Sequence, residues 1–283
     1  MVILLNFILP KQFFNKLILK LTMSEKENRK IPSDNLQDFF FELTDTIRFA
    51  GKATREMFRR PFEGEELVNQ CYLIGYKTLA LISITAFIMG LVLTLQTFPM
   101  LRDLGAEAEL PGLICVSLLR EIGPVITGLI FAGKVGSGLG AELGSMRVSD
   151  QIDAMEVSGT NPMKFLVATR VLATTLMVPL LVIYSDVVGM VGSYVGINLQ
   201  GTVSVRLFVI NSFEDIRYFD IIPALIKTFF FGYAIGLIGC YKGYTTTGGT
   251  QGVGRAANSA VVISSVVIFI IDLIAVQLAE LVI

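Results

Sequence analysis

Long apolar stretches, separated by short polar or glycine-rich connections, dominate the chain from residue 78 onward. About 20 consecutive apolar residues are needed to cross the hydrocarbon core of a bilayer as a helix. Five stretches have this length, at about residues 78–98, 113–135, 167–197, 221–241 and 260–283. The pattern therefore predicts an all-α integral membrane protein with about five transmembrane helices.

The segment before the first apolar stretch shows a helical repeat instead of a continuous apolar run. Apolar or small residues recur every three or four positions, at Leu36, Phe40, Leu43, Ile47, Gly51, Thr54 and Phe58. Basic residues follow another face, at Arg48, Lys52, Arg55 and Arg59. This spacing predicts an amphipathic helix lying in the headgroup region of the membrane. The alternative is a soluble helix packed on a partner protein.

The beginning of the chain differs from the rest. Met23 and the polar run after it resemble a natural start, and residues 2–9 make a poor signal peptide because no small-residue cleavage site follows them. We expect residues 1–35 to be a poorly ordered or mis-assigned N-terminal extension. Residues 36–283 are expected to form a single domain.

Composition narrows the classes of function. The 283 residues are 53% hydrophobic and 17% charged, with a mean hydropathy of +0.67, as expected for burial in lipid. A net charge of −1 gives no reason to expect nucleic acid as a partner. Histidine is absent, and Cys71, Cys115 and Cys240 lack metal-ligand spacing, so we expect no metal site and no histidine-based catalysis.

The charges of the connections predict the orientation of the chain. About half of the 23 Lys and Arg residues precede the first span, and the following connections alternate between acidic and basic. Because cytoplasmic connections carry the excess of Lys and Arg, we expect a multi-pass inner-membrane protein with its N-terminus in the cytoplasm and its C-terminus outside.

Small residues recur every four positions in and after the second span, at Gly128, Ala132, Gly136, Gly140 and Gly144. This spacing predicts close helix packing in lipid. Two overlapping patterns imitate nucleotide sites, GLIFAGKV from Gly128 and GSGLGA from Gly136. The first has Val135 where a magnesium-binding Ser or Thr is required, and neither follows a soluble strand. We therefore expect no nucleotide site, no cofactor and no enzymatic activity in this chain.

The predicted cytoplasmic connection between spans two and three is rich in polar residues alternating with apolar ones. Its polar members are Glu142, Arg147, Asp150, Gln151, Asp153 and Glu156. The spacing of Ile152, Met155 and Glu156 predicts a short amphipathic helix that docks a cytoplasmic partner. Asp153-Ala154-Met155 with Gly159 is similar to the loop by which ABC importer permeases engage their ATPases. The alternative is a solvated loop helix.

Ionisable residues within the spans are functional-site candidates, because charges are costly in lipid. Arg120 and Glu121 in span two and Lys227 in span four are predicted to lie at similar depths near the outer side, with Gln96 nearer the surface. Asp186 and Asp272 are predicted nearer the middle of the membrane. The alternative is that these charges pair internally and serve helix assembly.

Four stretches carry a resemblance to a known family. They are GLVLTLQ from Gly90, LLREIGPVITGLIFAGKVGSGLGAELGSMRVSDQIDAMEVSG from Leu118, NPMKFLVATRVLA from Asn161 and YKGYTTTGGTQGVGRAAN from Tyr241. The chain, over roughly residues 36–283, closely resembles the permeases of the maintenance-of-lipid-asymmetry (MlaE) type, which work with mammalian-cell-entry (MCE) proteins.

The resemblance implies a homodimeric permease bound to cytoplasmic ABC ATPase subunits, which bind ATP and Mg, and to a periplasmic MCE-domain protein. Phospholipid would move between the inner membrane and that partner. The family's interfacial helix would correspond to residues 36–60, and its coupling helix to the region 142–156. Its Arg-Glu pair near the lipid pocket would be Arg120 and Glu121.

A phospholipid site combines cationic donors for the phosphate with an apolar cavity for the tails. We predict Arg120 and Lys227 as the donors, with Glu121 holding Arg120 or contacting an amine and Gln96 close by. Leu91, Leu95 and Phe98 are predicted to line the tail region. Two other functions stay open: an ion-coupled secondary transporter using Glu121, Asp186 and Asp272, and a membrane scaffold that moves no lipid.

Overall fold

The computed structural model describes residues 32–59, 63–214, 216 and 218–282, and no β-strand occurs among them. This confirms the predicted all-α class. The prediction for residues 1–35 lies almost wholly outside the described residues. Contacts divide the chain into two units, Met1–Arg48 and Phe49–Ile283.

Eight helical segments follow one another along the described chain. They are α1 (Pro32–Met57), α2 (Gly64–Asp103), α3 (Glu107–Val148), α4 (Gln151–Val157), α5 (Met163–Gln200), α6 (Val205–Glu214), α7 (Tyr218–Tyr244) and α8 (Gly249–Val282). Five of them, α2, α3, α5, α7 and α8, are long and apolar enough to cross a membrane. The predicted number of spans is confirmed, and the helices extend beyond the predicted apolar stretches.

The helix α3 is not uniform. It contains π-helical turns at Leu118–Ile122 and Ala132–Gly136, and α5 begins with another at Met163–Ala168. Pro124 explains the first of these turns in part, because proline has no amide hydrogen for the carbonyl of Arg120 four residues earlier and its ring crowds that carbonyl. Such turns occur often at functional sites, and this one contains Arg120 and Glu121.

Glycines set the closest helix crossings. A Cβ atom added to Gly90 in α2 would lie 1.8 Å from the carbonyl oxygen of Gly189 in α5, and one added to Gly192 would lie 2.1 Å from that of Phe87. Only glycine permits backbones to approach this closely. The α2–α5 pair therefore forms a tightly fixed unit of the bundle.

The predicted small-residue stripe of α3 faces other helices of the same chain. A Cβ atom on Gly136 would lie 3.3 Å from Ile235 of α7, and one on Gly140 would lie 3.2 Å from Ala257 of α8. Gly128 and Gly144 likewise face residues of α7 or α8 or the connection between them, and Ala132 is fully buried. The stripe thus packs within the chain.

Within the second unit, the end of α1 packs on α7. The ring of Phe49 lies 5.4 Å from that of Tyr241, and the hydroxyls of Thr54 and Tyr233 are 2.7 Å apart. Gly51 and Phe58, on the predicted apolar face, are exposed. The predicted helix is present, and its position at a membrane surface stays a prediction.

Candidate functional site

Four of the predicted intramembrane residues meet in one ion cluster around the buried ammonium of Lys227, which we define as Glu121, Lys227, Asp272 and, through its backbone carbonyl, Arg120. The Nζ atom of Lys227 lies 2.8 Å from Oε2 of Glu121 and 2.8 Å from Oδ1 of Asp272. It also donates a hydrogen bond of 2.6 Å to the backbone carbonyl of Arg120. The side chain of Lys227 is only 4% exposed. The cluster therefore ties α3, α7 and α8 together.

Pro124 leaves a backbone carbonyl of α3 available as an acceptor for this ammonium group. The carbonyl of Arg120 cannot receive an amide hydrogen from Pro124, and in the structure the ammonium of Lys227 donates to it instead. Lys227 also donates a hydrogen bond to Glu121, whereas Oδ1 of Asp272 lies at ion-pair distance and has no hydrogen-bond partner among the described residues. The ammonium of Lys227 thus contacts three oxygens of the cluster, and its predicted contact with a lipid phosphate stays a prediction.

The carboxylates of the cluster differ in exposure. The side chain of Glu121 is 46% exposed, whereas that of Asp272 is 18% exposed, and Arg120 is an exposed residue. The cluster consequently has an inner part, Lys227 with Asp272, and an outer part, Arg120 with Glu121. Only the outer part is open to a ligand in this arrangement.

Asp272 and Asp186, both predicted to lie nearer the middle of the membrane, are placed differently with respect to the cluster. Asp272 of α8 contacts Lys227. Asp186 of α5 lies beside the turn that contains Arg120 and Glu121, since a Cβ atom on Gly123 would be 1.9 Å from its Oδ1. The depths of all these residues in the membrane stay predictions.

The predicted tail-binding residues lie on α2. Leu91 and Leu95 are partly buried and Gln96 is exposed. Phe98 is buried in an apolar cluster with residues of α3, α5 and α6, namely Leu110, Ile114, Leu118, Ile197 and Phe208. The described contacts place Phe98 in this cluster and not beside Lys227, so its predicted contact with lipid stays a prediction.

The predicted coupling region folds as the end of α3, a sharp turn and the short helix α4. Asp150 adopts the left-handed conformation at the turn, with φ of 57°, which aspartate tolerates better than most residues. In α4, Ile152 is fully buried, whereas Val157 is 91% exposed. Asp150, Gln151 and Asp153 are exposed. A polar surface with an apolar tip therefore projects from this connection.

The other predicted coupling residues hold this surface in place. The guanidinium of Arg147 pairs with the carboxylate of Asp153, and the hydroxyl of Tyr244 donates to Oε1 of Glu156 at 3.5 Å. Glu142 accepts a hydrogen bond of 2.7 Å from Arg170, whose side chain is 4% exposed. Sequence analysis does not identify Arg170 as a site residue, although a basic residue at the end of a long apolar stretch indicates a buried ion pair.

Comparisons with known proteins agree with these features. The profile of the family Permease MlaE matches residues 67–278. A probable ABC transporter permease protein of Rickettsia felis is 36% identical over 222 residues, covering 78% of this chain and 86% of the relative. The intermembrane phospholipid transport system permease protein MlaE of Haemophilus influenzae is 34% identical, covering 74% and 80%. Protein TRIGALACTOSYLDIACYLGLYCEROL 1 of Arabidopsis thaliana, a chloroplastic protein, is also 34% identical, covering 80% and 64%.

Proposed function

This chain belongs to the MlaE family of ABC transporter permeases, and we propose that it moves phospholipid between the inner membrane and a periplasmic MCE-domain partner. ATP hydrolysis in a separate subunit drives the movement, and ATP and Mg bind there. The observation that supports the substrate is the similarity to a permease whose name states intermembrane phospholipid transport.

The outer part of the ion cluster is the proposed headgroup site. Arg120 is exposed and carries a planar guanidinium, which binds phosphate through two parallel hydrogen bonds. Glu121 lies 2.8 Å from Lys227 and its side chain is 46% exposed, so it is the proposed contact for an amine of the headgroup. Leu91, Leu95, Gln96 and Phe98 are the proposed lining beyond the headgroup.

The surface of α4 is the proposed ATPase contact. Exposed residues on it and at its start include Asp150, Gln151, Asp153, Glu156 and Val157, a polar rim around one apolar side chain. Such a composition suits a protein interface with a small apolar anchor. Glu142 and Glu156 act in this proposal as positioning residues, because their partners Arg170 and Tyr244 belong to the spans α5 and α7.

The proposed assembly is a homodimer with its N-termini in the cytoplasm and its C-termini outside. The charges of the connections support this orientation, since the basic side retains Lys and Arg. The apolar side chains of α8, including Val262, Val266 and Ile270, are about half exposed. They are available to lipid or to the second copy.

The test is ATP-dependent transfer of labelled phospholipid from proteoliposomes that contain the permease with its ATPase and MCE partner. We expect transfer to require ATP and to fall at least tenfold in Arg120→Gln, the effect of losing about one charge-assisted bidentate contact. Gly133→Ala is the control, because an added Cβ atom there meets nothing within 4 Å. Transport driven by an ion gradient in the permease alone would show a secondary transporter instead.

A further inference from the structure

A second intramembrane carboxyl group, that of Asp186, lies outside the ion cluster. The residue is 7% exposed, and its Oδ1 atom has no hydrogen-bond partner among the described residues. Burying a polar group without a partner is unfavourable, and burying a charge without one is more so. An aspartate in this position therefore gains free energy from any donor that reaches it.

The fold makes room for this carboxyl group at a specific point. Oδ1 of Asp186 would be only 1.9 Å from a Cβ atom on Gly123, so a residue larger than glycine would displace it. Gly123 directly follows the π-helical turn that contains Arg120 and Glu121. Asp186 therefore packs against the same turn of α3 that supplies the ion cluster.

Asp186 also lines an open groove of about 550 Å³ between α3, α5, α6 and the start of α7. This volume is within the range of roughly 300–1,000 Å³ found for small-molecule sites. The walls are mostly apolar, with Leu118, Met190, Phe208, Val209 and Phe213 among them. Asp186 is the only charged residue that lines the groove among the described residues.

We propose that this groove binds an aminophospholipid, with an acyl chain along its apolar wall and the primary ammonium donating hydrogen bonds to Asp186. The inference rests on the proposed transport of phospholipid and adds a substrate preference to it. Hydrogen-bond complementarity favours this ligand, because an ammonium can donate to the unpartnered oxygen of Asp186, whereas a phosphate diester has no donor. A primary ammonium has three N–H donors, whereas the quaternary ammonium of a choline lipid has none.

The groove has Asp186 and an aromatic wall on the same face of α5. Asp186, Met190 and Tyr194 follow one another at four-residue spacing and therefore share a face of α5. The ring of Tyr194 packs edge-on against Phe208 of α6 with centroids 5.3 Å apart. A lipid in the groove would thus meet a carboxyl group at one level and an aromatic wall about 12 Å further along, counting ~1.5 Å per residue.

The test is photo-crosslinking in nanodiscs that contain equal amounts of ethanolamine and choline phospholipids. Photoreactive residues replace Val209 or Phe213 in the groove, and control positions are Val266 and Ile270, which are exposed on α8. We expect the groove positions to capture ethanolamine lipid about tenfold over choline lipid, as for one hydrogen bond to a charged group. Asp186→Leu, which removes the acceptor, should abolish the preference, and the controls should show none.

A series of lipids tests the same point without changing the protein. Stepwise methylation of the ethanolamine nitrogen removes its donors one at a time, so capture should decline at each step. The proposal would be overturned if the groove positions captured all lipids equally or no more strongly than the α8 positions. It would also be overturned if the groove positions crosslinked to a second copy of the chain. The transport assay separates the two hypotheses. A preference for ethanolamine lipid without ATP-driven transfer would overturn only the proposed transport function. ATP-driven transfer without this preference would overturn only the proposed aminophospholipid site.

Discussion

Replacing Lys227 with methionine removes the ammonium group at the centre of the ion cluster while keeping a long apolar side chain. The substitution leaves Asp272 and Glu121 without their shared cation, each previously 2.8 Å away, and the carbonyl of Arg120 without its 2.6 Å donor. Breaking a buried ion pair by removing one partner costs about 3–5 kcal/mol.

The contributions of the two carboxylates are unequal. Glu121 is 46% exposed, so water or a headgroup can solvate it and its share is small. Asp272 is 18% exposed and loses its cation in a poorly solvated place. We therefore expect Lys227→Met to lower the free energy of unfolding by about 3 kcal/mol, at the lower end of the range for buried pairs.

A double-mutant cycle measures the coupling directly. The variants are Lys227→Met, Asp272→Leu and the two together, and unfolding is followed in mixed micelles by circular dichroism. We expect the double variant to be more stable than Lys227→Met, with a coupling of about 2 kcal/mol, because the stranded carboxylate is gone. Additive effects, or a change below about 0.5 kcal/mol in Lys227→Met, would refute this account of the cluster.

Two further predictions concern packing and docking. Gly90→Ala should destabilise the bundle by more than about 2 kcal/mol, because its Cβ atom would lie 1.8 Å from a carbonyl oxygen, whereas Gly133→Ala should be neutral in the same unfolding measurement. Asp153→Lys should reduce co-purification of the ATPase at least tenfold while the permease stays folded, since it reverses an exposed charge on α4 and breaks the ion pair with Arg147 that holds this surface. A wild-type ATPase ratio would contradict the proposed docking surface, and Ser158→Ala, at the end of α4, is the matched control.

The number of spans could be predicted because each apolar stretch must be long enough to cross the hydrocarbon core. The helix ends could not be predicted in this way, because a helix continues wherever its backbone hydrogen bonds can form. The helix α2 begins at Gly64, before the predicted start at 78, and its first turns are polar. Apolar length reports the thickness of the hydrocarbon core, whereas helix length depends on where the hydrogen-bond ladder stops.

The sequence predicted how far along their helices the candidate site residues lie, but not which way their side chains point around those helices. Counting residues from the span ends placed Arg120, Glu121 and Lys227 at one level, and the structure brings them together. The direction of a side chain around its helix depends on which helices pack there. For that reason, the sequence did not show that Asp272 shares the ammonium while Asp186 faces a different groove.

The π-helical turn of α3 links these two acidic positions physically. Its carbonyl at Arg120 is held by Lys227, and the glycine that ends it, Gly123, lies against Asp186. Lys227 and Asp186 therefore contact neighbouring residues of one segment of α3. The groove and the ion cluster lie on two sides of this segment, so a substitution at Gly123 is expected to disturb both.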